Sequence, residues 1–116
     1  KKLKGWSWVG VDGNYYLQAN NLLESGFIHG FFTKLWEEKA PSKLANSFNE
    51  KVTVHILKQV HGEEIINASE ASVNLYPEAD ALISDRASQS LWVRSADCIP
   101  ALICSRDSGT AASCHA

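Results

Sequence analysis

Short runs of alternating apolar and polar residues dominate this sequence, and they constrain its fold more than any other feature. In the clearest run, residues 52–60, Val54, Ile56 and Lys58 would lie on one side of a strand and the intervening residues on the other. Further strands are predicted at 65–66, 79–84, 90–95, 99–104 and 110–115. Only one or two short helices are expected, so the sequence predicts a strand-rich α+β fold.

The first residues of the sequence indicate a β-hairpin. Trp6 and Trp8 alternate within residues 3–11, and Asp12-Gly13 is a turn signal before residues 15–17. We interpret both tryptophans as core anchors.

Three further segments have weaker local signals. A short turn or helix is expected over residues 19–25, ending before Gly26. A second short helix is expected over residues 43–48, with Ser42 as its N-cap. Pro100 cannot donate to a sheet, which predicts a helical start or an edge strand at residues 99–104.

Composition describes an ordinary globular chain. Of its 116 residues, 45% are hydrophobic and 21% charged, with a net charge of −2, so we expect residues 1–116 to form a single domain. No basic run points to nucleic acid, and no apolar stretch has the length of a membrane span. Since no secretory pattern opens the chain, we expect a cytoplasmic protein with neither nucleic-acid nor membrane partners.

The cysteine pattern fits a reducing compartment. Three cysteines, Cys98, Cys104 and Cys114, are an odd number without the spacing of a disulfide scaffold. Cys104 and Cys114 lie inside apolar runs and are expected to be small buried residues.

Three residues are candidates for a metal site: His61, Cys98 and His115. Each lies near a predicted strand end, where side chains from separate strands can converge. Two imidazoles and a thiolate suit zinc and leave a fourth position open for water. Their separation matches no local zinc motif, so a metal-free alternative stays open, in which Cys98 is a nucleophile and either histidine its base. A purely structural role for all three is the remaining alternative.

Three other polar residues are weaker candidates for a functional role. His29 and His55 are expected to make structural hydrogen bonds or to lie on a strand surface. Lys34 ends an apolar segment and could contact an anion at the mouth of a site, or simply be solvated.

Five segments, in order, resemble one known family. They are HGFFTK at 29–34, KQVHG at 58–62, ADALISD at 79–85, SADCIPALI at 95–103 and CHA at 114–116. This set is similar to the multicopper polyphenol oxidases (laccase-like), whose members are understood as purine nucleoside phosphorylases that also deaminate adenosine. The resemblance covers the chain from about His29 onward and implies a layered α/β/β/α sandwich, of which this sequence would be an incomplete N-terminal portion.

The resemblance implies a zinc site, rather than a copper site, formed by His61, Cys98 and His115, which would also be the catalytic residues. It implies a purine nucleoside and phosphate as substrates, with Lys34 at a substrate-binding position where the family usually has Arg. Lysine keeps the charge but lacks the bidentate fork. Whether the protein forms a homo-oligomer is left open.

Family members continue from His115-Ala116 into a Gly-Trp-Arg-Gly segment, whose Arg would contact phosphate. An alternative function is therefore that of a shortened, catalytically inactive metal-binding fragment or interaction module. A metal-free Cys–His hydrolase is another. Copper-dependent phenol oxidation is the least favoured, because a multicopper array needs more histidines than the four present.

Overall fold

A computed structural model describes residues 4–11, 13–36, 39–46, 51–95 and 99–115. The chain forms two compact units, Lys1–Phe48 and Asn49–Ala116. That residues 1–116 constitute one domain stays a prediction. Neither described helix has the length and apolar character that crossing a bilayer requires.

The first unit is built on a three-stranded antiparallel sheet. Its strands, in spatial order, are β1 (Trp6–Val11), β2 (Asn14–Ala19) and β3 (Phe31–Phe32). The predicted hairpin is confirmed, with Gly13 at a positive φ of 84° in its turn, a backbone conformation that glycine adopts readily. Helix α1 (Asn20–Glu24) follows β2 directly, as the sequence predicts for residues 19–25.

The tryptophan that anchors the first unit is Trp36, not Trp6 or Trp8. Trp36 is 3% exposed, and its indole N–H donates to the carbonyl of Tyr15 at 2.7 Å. Trp6 and Trp8 are 40% and 50% exposed, so their prediction as core anchors is wrong. The physical reason is the alternation of β1, an edge strand that directs both indoles to its more exposed face.

The second helix begins earlier than the sequence predicts. Helix α2 (Pro41–Ala45) has Ala40 as its N-cap residue, without a side-chain cap, and Pro41 in its first turn. The prediction of Ser42 as the cap of a helix over residues 43–48 is therefore wrong at its start. Proline suits the first turn because its missing N–H would have no helical acceptor there.

Within residues 51–95 and 99–115, the second unit has six strands in two sheets. They are β4 (Thr53–His55), β5 (Ile65–Asn67), β6 (Ala81–Ser84), β7 (Gln89–Leu91), β8 (Pro100–Ser105) and β9 (Thr110–His115). Parallel β4 and β7 form one sheet, and the other has the order β5-β6-β9-β8. In the latter, β5 and β6 are parallel and the remaining pairs antiparallel.

One predicted strand is shorter in the structure, and another takes an edge position. The strand predicted over residues 52–60 ends at His55, and beyond it only Lys58 makes an isolated bridge, to Glu78. Pro100 begins β8, which lies at a sheet edge, as one of the two alternatives for residues 99–104 predicts. The edge position leaves the missing N–H of proline without consequence for the sheet.

The core of the second unit fixes the position of β6. Leu82 is fully buried in a cluster with Leu57, Ala71 and Ala79, and Ile66 packs against them. Burying Leu82 contributes about 2 kcal/mol.

Cys104 and Cys114 are free thiols of intermediate burial, so their prediction as buried core residues is wrong. Cys104 lies on an edge strand. Cys114 pairs with Ala81, and the neighbouring residue Ser113 pairs with Leu82. Because adjacent residues of a strand face opposite sides of the sheet, Cys114 points away from the face that Leu82 occupies. Despite these corrections, the strand-rich α+β class is confirmed.

Candidate functional site

The fold brings together two of the three predicted metal ligands. The imidazole rings of His61 and His115 lie edge to face, with their centroids 5.0 Å apart and their planes at 61°. His61 is exposed on the turn before β5, whereas His115 is buried at the end of β9. Cys98, the third predicted ligand, lies outside the described residues, as does Asp97.

His61 has an unusual backbone conformation. Its φ of 59° falls in the left-handed region, which residues other than glycine rarely occupy. The backbone N–H groups of Val60, His61 and Gly62 all donate to the carboxylate of Asp80, at 3.3, 3.1 and 2.7 Å. These three bonds hold the turn that carries the His61 ring.

His115 is positioned by its strand partner. Ala81 of β6 pairs with Cys114 of β9, so the next position places Asp80 opposite His115. The backbone N–H of His115 donates to the Asp80 carbonyl at 2.8 Å, and its ring Nδ1 donates to Asp80 Oδ1 at 2.9 Å. Because Nδ1 is committed to the carboxylate, Nε2 is the nitrogen through which this ring can bind a metal or exchange a proton.

Asp80 is a buried anion at the centre of the arrangement. It is 2% exposed and accepts four hydrogen bonds, from the His115 ring and the three backbone N–H groups. The His115 bond, followed by those from Gly62, Val60 and His61, lowers the pKa of Asp80 to about 2 against the opposing effect of burial. Asp80 is therefore ionised at neutral pH and places a negative charge beside the His115 ring.

Sequence reasoning missed Asp80 as a site residue. It placed Asp80 inside a strand over residues 79–84, whereas β6 begins at Ala81 and Asp80 lies immediately before it. The available signal was a carboxylate within an apolar run, because a charged side chain in such a run is buried only when it is paired.

The two remaining histidines have structural roles, as expected. His29 Nε2 accepts from the Ala19 N–H at 2.8 Å, and its Nδ1 donates to the Phe27 carbonyl at 3.0 Å. His55 Nδ1 donates to the Ala71 carbonyl at 2.7 Å. Lys34 begins the 3-10 turn Lys34–Trp36 and is exposed, and its contact with an anion stays a prediction.

The two described ligand candidates, His61 and His115, are arranged in a way that suits a shared metal ion. Within the described ranges, no group of three or more histidine, cysteine or acidic side chains is arranged to hold a metal. His61 and His115 nevertheless adjoin each other, and the Asp80–His115 bond is the carboxylate–histidine arrangement that commonly orients metal ligands. A third donor from Cys98 would complete a zinc-type ligand set, which stays a prediction.

Comparison with known proteins identifies the family. The family model described as multi-copper polyphenol oxidoreductase laccase matches residues 38–116. The chain belongs to this family. All three predicted ligands lie within the matched residues of this laccase-like family, whereas Lys34 lies before them.

Relatives in the laccase-like family have a different functional name. A purine nucleoside phosphorylase of Synechocystis sp. is 35% identical, over 84% of this chain and 39% of the relative. One of Rickettsia conorii is also 35% identical, over 87% of this chain and 38% of the relative. The chain thus spans about two fifths of the length of these curated relatives.

A solved structure shows the same fold. The crystal structure of a Neisseria meningitidis protein of the DUF152 family matches with a TM-score of 0.60 and 22% identity, over 97% of this chain and 50% of that protein. The predicted family and the predicted α+β fold are both confirmed.

Proposed function

We propose that this chain carries a zinc-dependent site for purine nucleoside chemistry: phosphorolysis of adenosine or inosine, together with deamination of adenosine. The relatives named purine nucleoside phosphorylase support the first activity. The observation that carries the proposal is the convergence of His61 and His115 on the buried carboxylate of Asp80.

The chemistry of phosphorolysis explains why such a site is useful. A phosphate oxygen attacks C1′ of the ribose, the bond from C1′ to the purine breaks, and the base leaves with the bonding electrons. The departing base needs a proton or a nearby positive charge. A zinc ion held by His61, Cys98 and His115 would supply that positive charge.

Deamination of adenosine also requires a proton on its leaving group. Water replaces the 6-amino group of adenosine, giving inosine and ammonia, and a proton must move from the water to the leaving amine. A zinc ion held by His61, Cys98 and His115 would supply a Lewis acid for this exchange. We favour zinc over copper because two imidazoles and one thiolate suit tetrahedral zinc.

Phosphate binding is assigned to Lys34. Its ammonium group is a point charge, so it would attract phosphate without the bidentate geometry of arginine. Lys43 is an exposed lysine of α2 in the same unit and provides a matched control. Lys34→Ala should raise the KM for phosphate, whereas Lys43→Ala should leave it unchanged.

The test is the turnover of adenosine and inosine by zinc-loaded protein, followed by chromatography with and without phosphate. We expect hypoxanthine from inosine only when phosphate is present, and inosine from adenosine in its absence. Cys98→Ser and zinc removal should each abolish both reactions. Turnover that survives zinc removal would reject zinc dependence, and no turnover would reject catalysis by this chain in favour of a metal-binding fragment.

A further inference from the structure

We propose that Asp80 is the positioning residue for both imidazoles of the site. It selects the ring nitrogen that His115 presents, and it holds the turn from which His61 projects. The effect on metal binding rests on the proposed function. The placement of the two rings by Asp80 is a property of the metal-free chain.

The hydrogen bonds of Asp80 link the two histidines through a single oxygen. Oδ1 accepts both from the His115 ring Nδ1, at 2.9 Å, and from the His61 backbone N–H, at 3.1 Å. Oδ2 accepts from the backbone N–H groups of Gly62 and Val60. Each oxygen therefore receives two donors, and a change at either oxygen affects the placement of at least one histidine.

A carboxylate also determines the tautomer of His115. An ionised carboxylate only accepts hydrogen bonds, so the facing Nδ1 must carry the proton and Nε2 keeps its lone pair in the neutral ring. An asparagine amide can accept or donate at the same place and would no longer enforce one tautomer. Asp80→Asn thus preserves the size of the side chain but no longer selects one tautomer of the His115 ring.

The same substitution disturbs the His61 turn. An amide offers one accepting oxygen where the carboxylate offers two, so either the Oδ1 pair or the Oδ2 pair of donors loses its acceptor. His61 is in the left-handed region, a conformation that persists only when surrounding bonds enforce it. Loss of those bonds should let the turn relax and move the His61 ring.

The first experiment records long-range nitrogen–proton spectra of the imidazoles in the metal-free protein, with His115→Gln to assign the signal. Wild type should show His115 protonated at Nδ1, and Asp80→Asn should show a mixture of tautomers with shifted amide signals at His61 and Gly62. Asp85→Asn, at an exposed aspartate near the end of β6, should match wild type. A wild-type ring protonated at Nε2 would overturn the proposal, even if Asp80→Asn does not fold.

The second experiment measures zinc affinity by competition with a chelator. Asp80→Asn should bind zinc about 10–100-fold more weakly than wild type, and Asp85→Asn should not differ. Equal zinc affinities of wild type and Asp80→Asn would overturn the positioning role. A loss of zinc affinity that is fully explained by the unfolded fraction of Asp80→Asn, measured by circular dichroism, would overturn it as well. Wild type that binds no zinc would reject the proposed metal site instead, while the imidazole spectra would still decide the role of Asp80.

Discussion

His115 and Asp80 are joined twice, once through the backbone and once through the side chains. The His115 N–H donates to the Asp80 carbonyl at 2.8 Å, and the His115 ring donates to the Asp80 carboxylate at 2.9 Å. Because both bonds arise from the pairing of β6 with β9, the orientation of the ring follows directly from the sheet register. Stability and site geometry are therefore coupled at this pair.

Acid should destabilise the second unit through Asp80. Its pKa is about 2 in the folded chain against an ordinary value of 3.8, so the unfolded chain binds the proton more readily. The stabilisation is fully present above the ordinary value and is lost as the pH falls through about 2. Between pH 3.8 and about 2, the free energy of unfolding measured with urea should fall more steeply with decreasing pH for wild type than for Asp80→Asn.

Asp85→Asn is the matched control for acid unfolding, because Asp85 is exposed. It should retain the pH dependence of wild type. Identical slopes for wild type and Asp80→Asn would show that the Asp80 bonds contribute nothing to acid stability.

Two glycines from the predicted motifs should respond differently to alanine. A Cβ at Gly30 would lie 2.7 Å from a ring carbon of Tyr16, which is buried and stacked on Phe32, so the rings must shift. A Cβ at Gly62 would approach Asp80 Oδ2 at 3.5 Å, an ordinary contact. Gly30→Ala should lower the free energy of unfolding by about 1–3 kcal/mol.

Gly62→Ala serves as the internal comparison and should change the free energy of unfolding by less than about 0.5 kcal/mol. Chemical denaturation of both variants measures the difference. A larger loss for Gly62→Ala than for Gly30→Ala would contradict the backbone geometry of both segments.

Thiol labelling separates the zinc site from a metal-free cysteine nucleophile. Zinc should slow the alkylation of Cys98 and leave Cys104 and Cys114 unchanged, as peptide mass spectrometry can measure. Burial raises the pKa of Cys104, so its alkylation at neutral pH should be slower than that of a model thiol. Full-rate labelling of Cys98 in the presence of bound zinc would favour the Cys–His hydrolase instead.

Local sequence signals predicted much of the fold. The Asp-Gly turn and its flanking alternation located the β1–β2 hairpin, and residues 110–115 form β9 as predicted. The indoles of Trp6 and Trp8 were misassigned because burial depends on which face of the sheet is covered. That property is set by non-local packing and is not encoded in the period of the strand.

The site was predictable only in part. Histidines at the ends of predicted segments were recognisable as candidates, and the fold does place His61 beside His115. Asp80 was missed because its role arises from the register of β6 with β9 and from a turn distant in sequence. Hydrogen-bond partners of this kind are fixed by tertiary structure, which no local pattern specifies.

The most direct test of the metal site is the zinc content of the purified chain after equilibrium dialysis. We predict about one zinc per chain for wild type and for His55→Gln, a substitution at a buried histidine of the same unit that bonds the Ala71 carbonyl. His61→Gln, His115→Gln and Cys98→Ser should each lose the bound zinc while remaining folded by circular dichroism. Zinc retained at the wild-type level after replacement of His61 or His115 would contradict the proposed metal site.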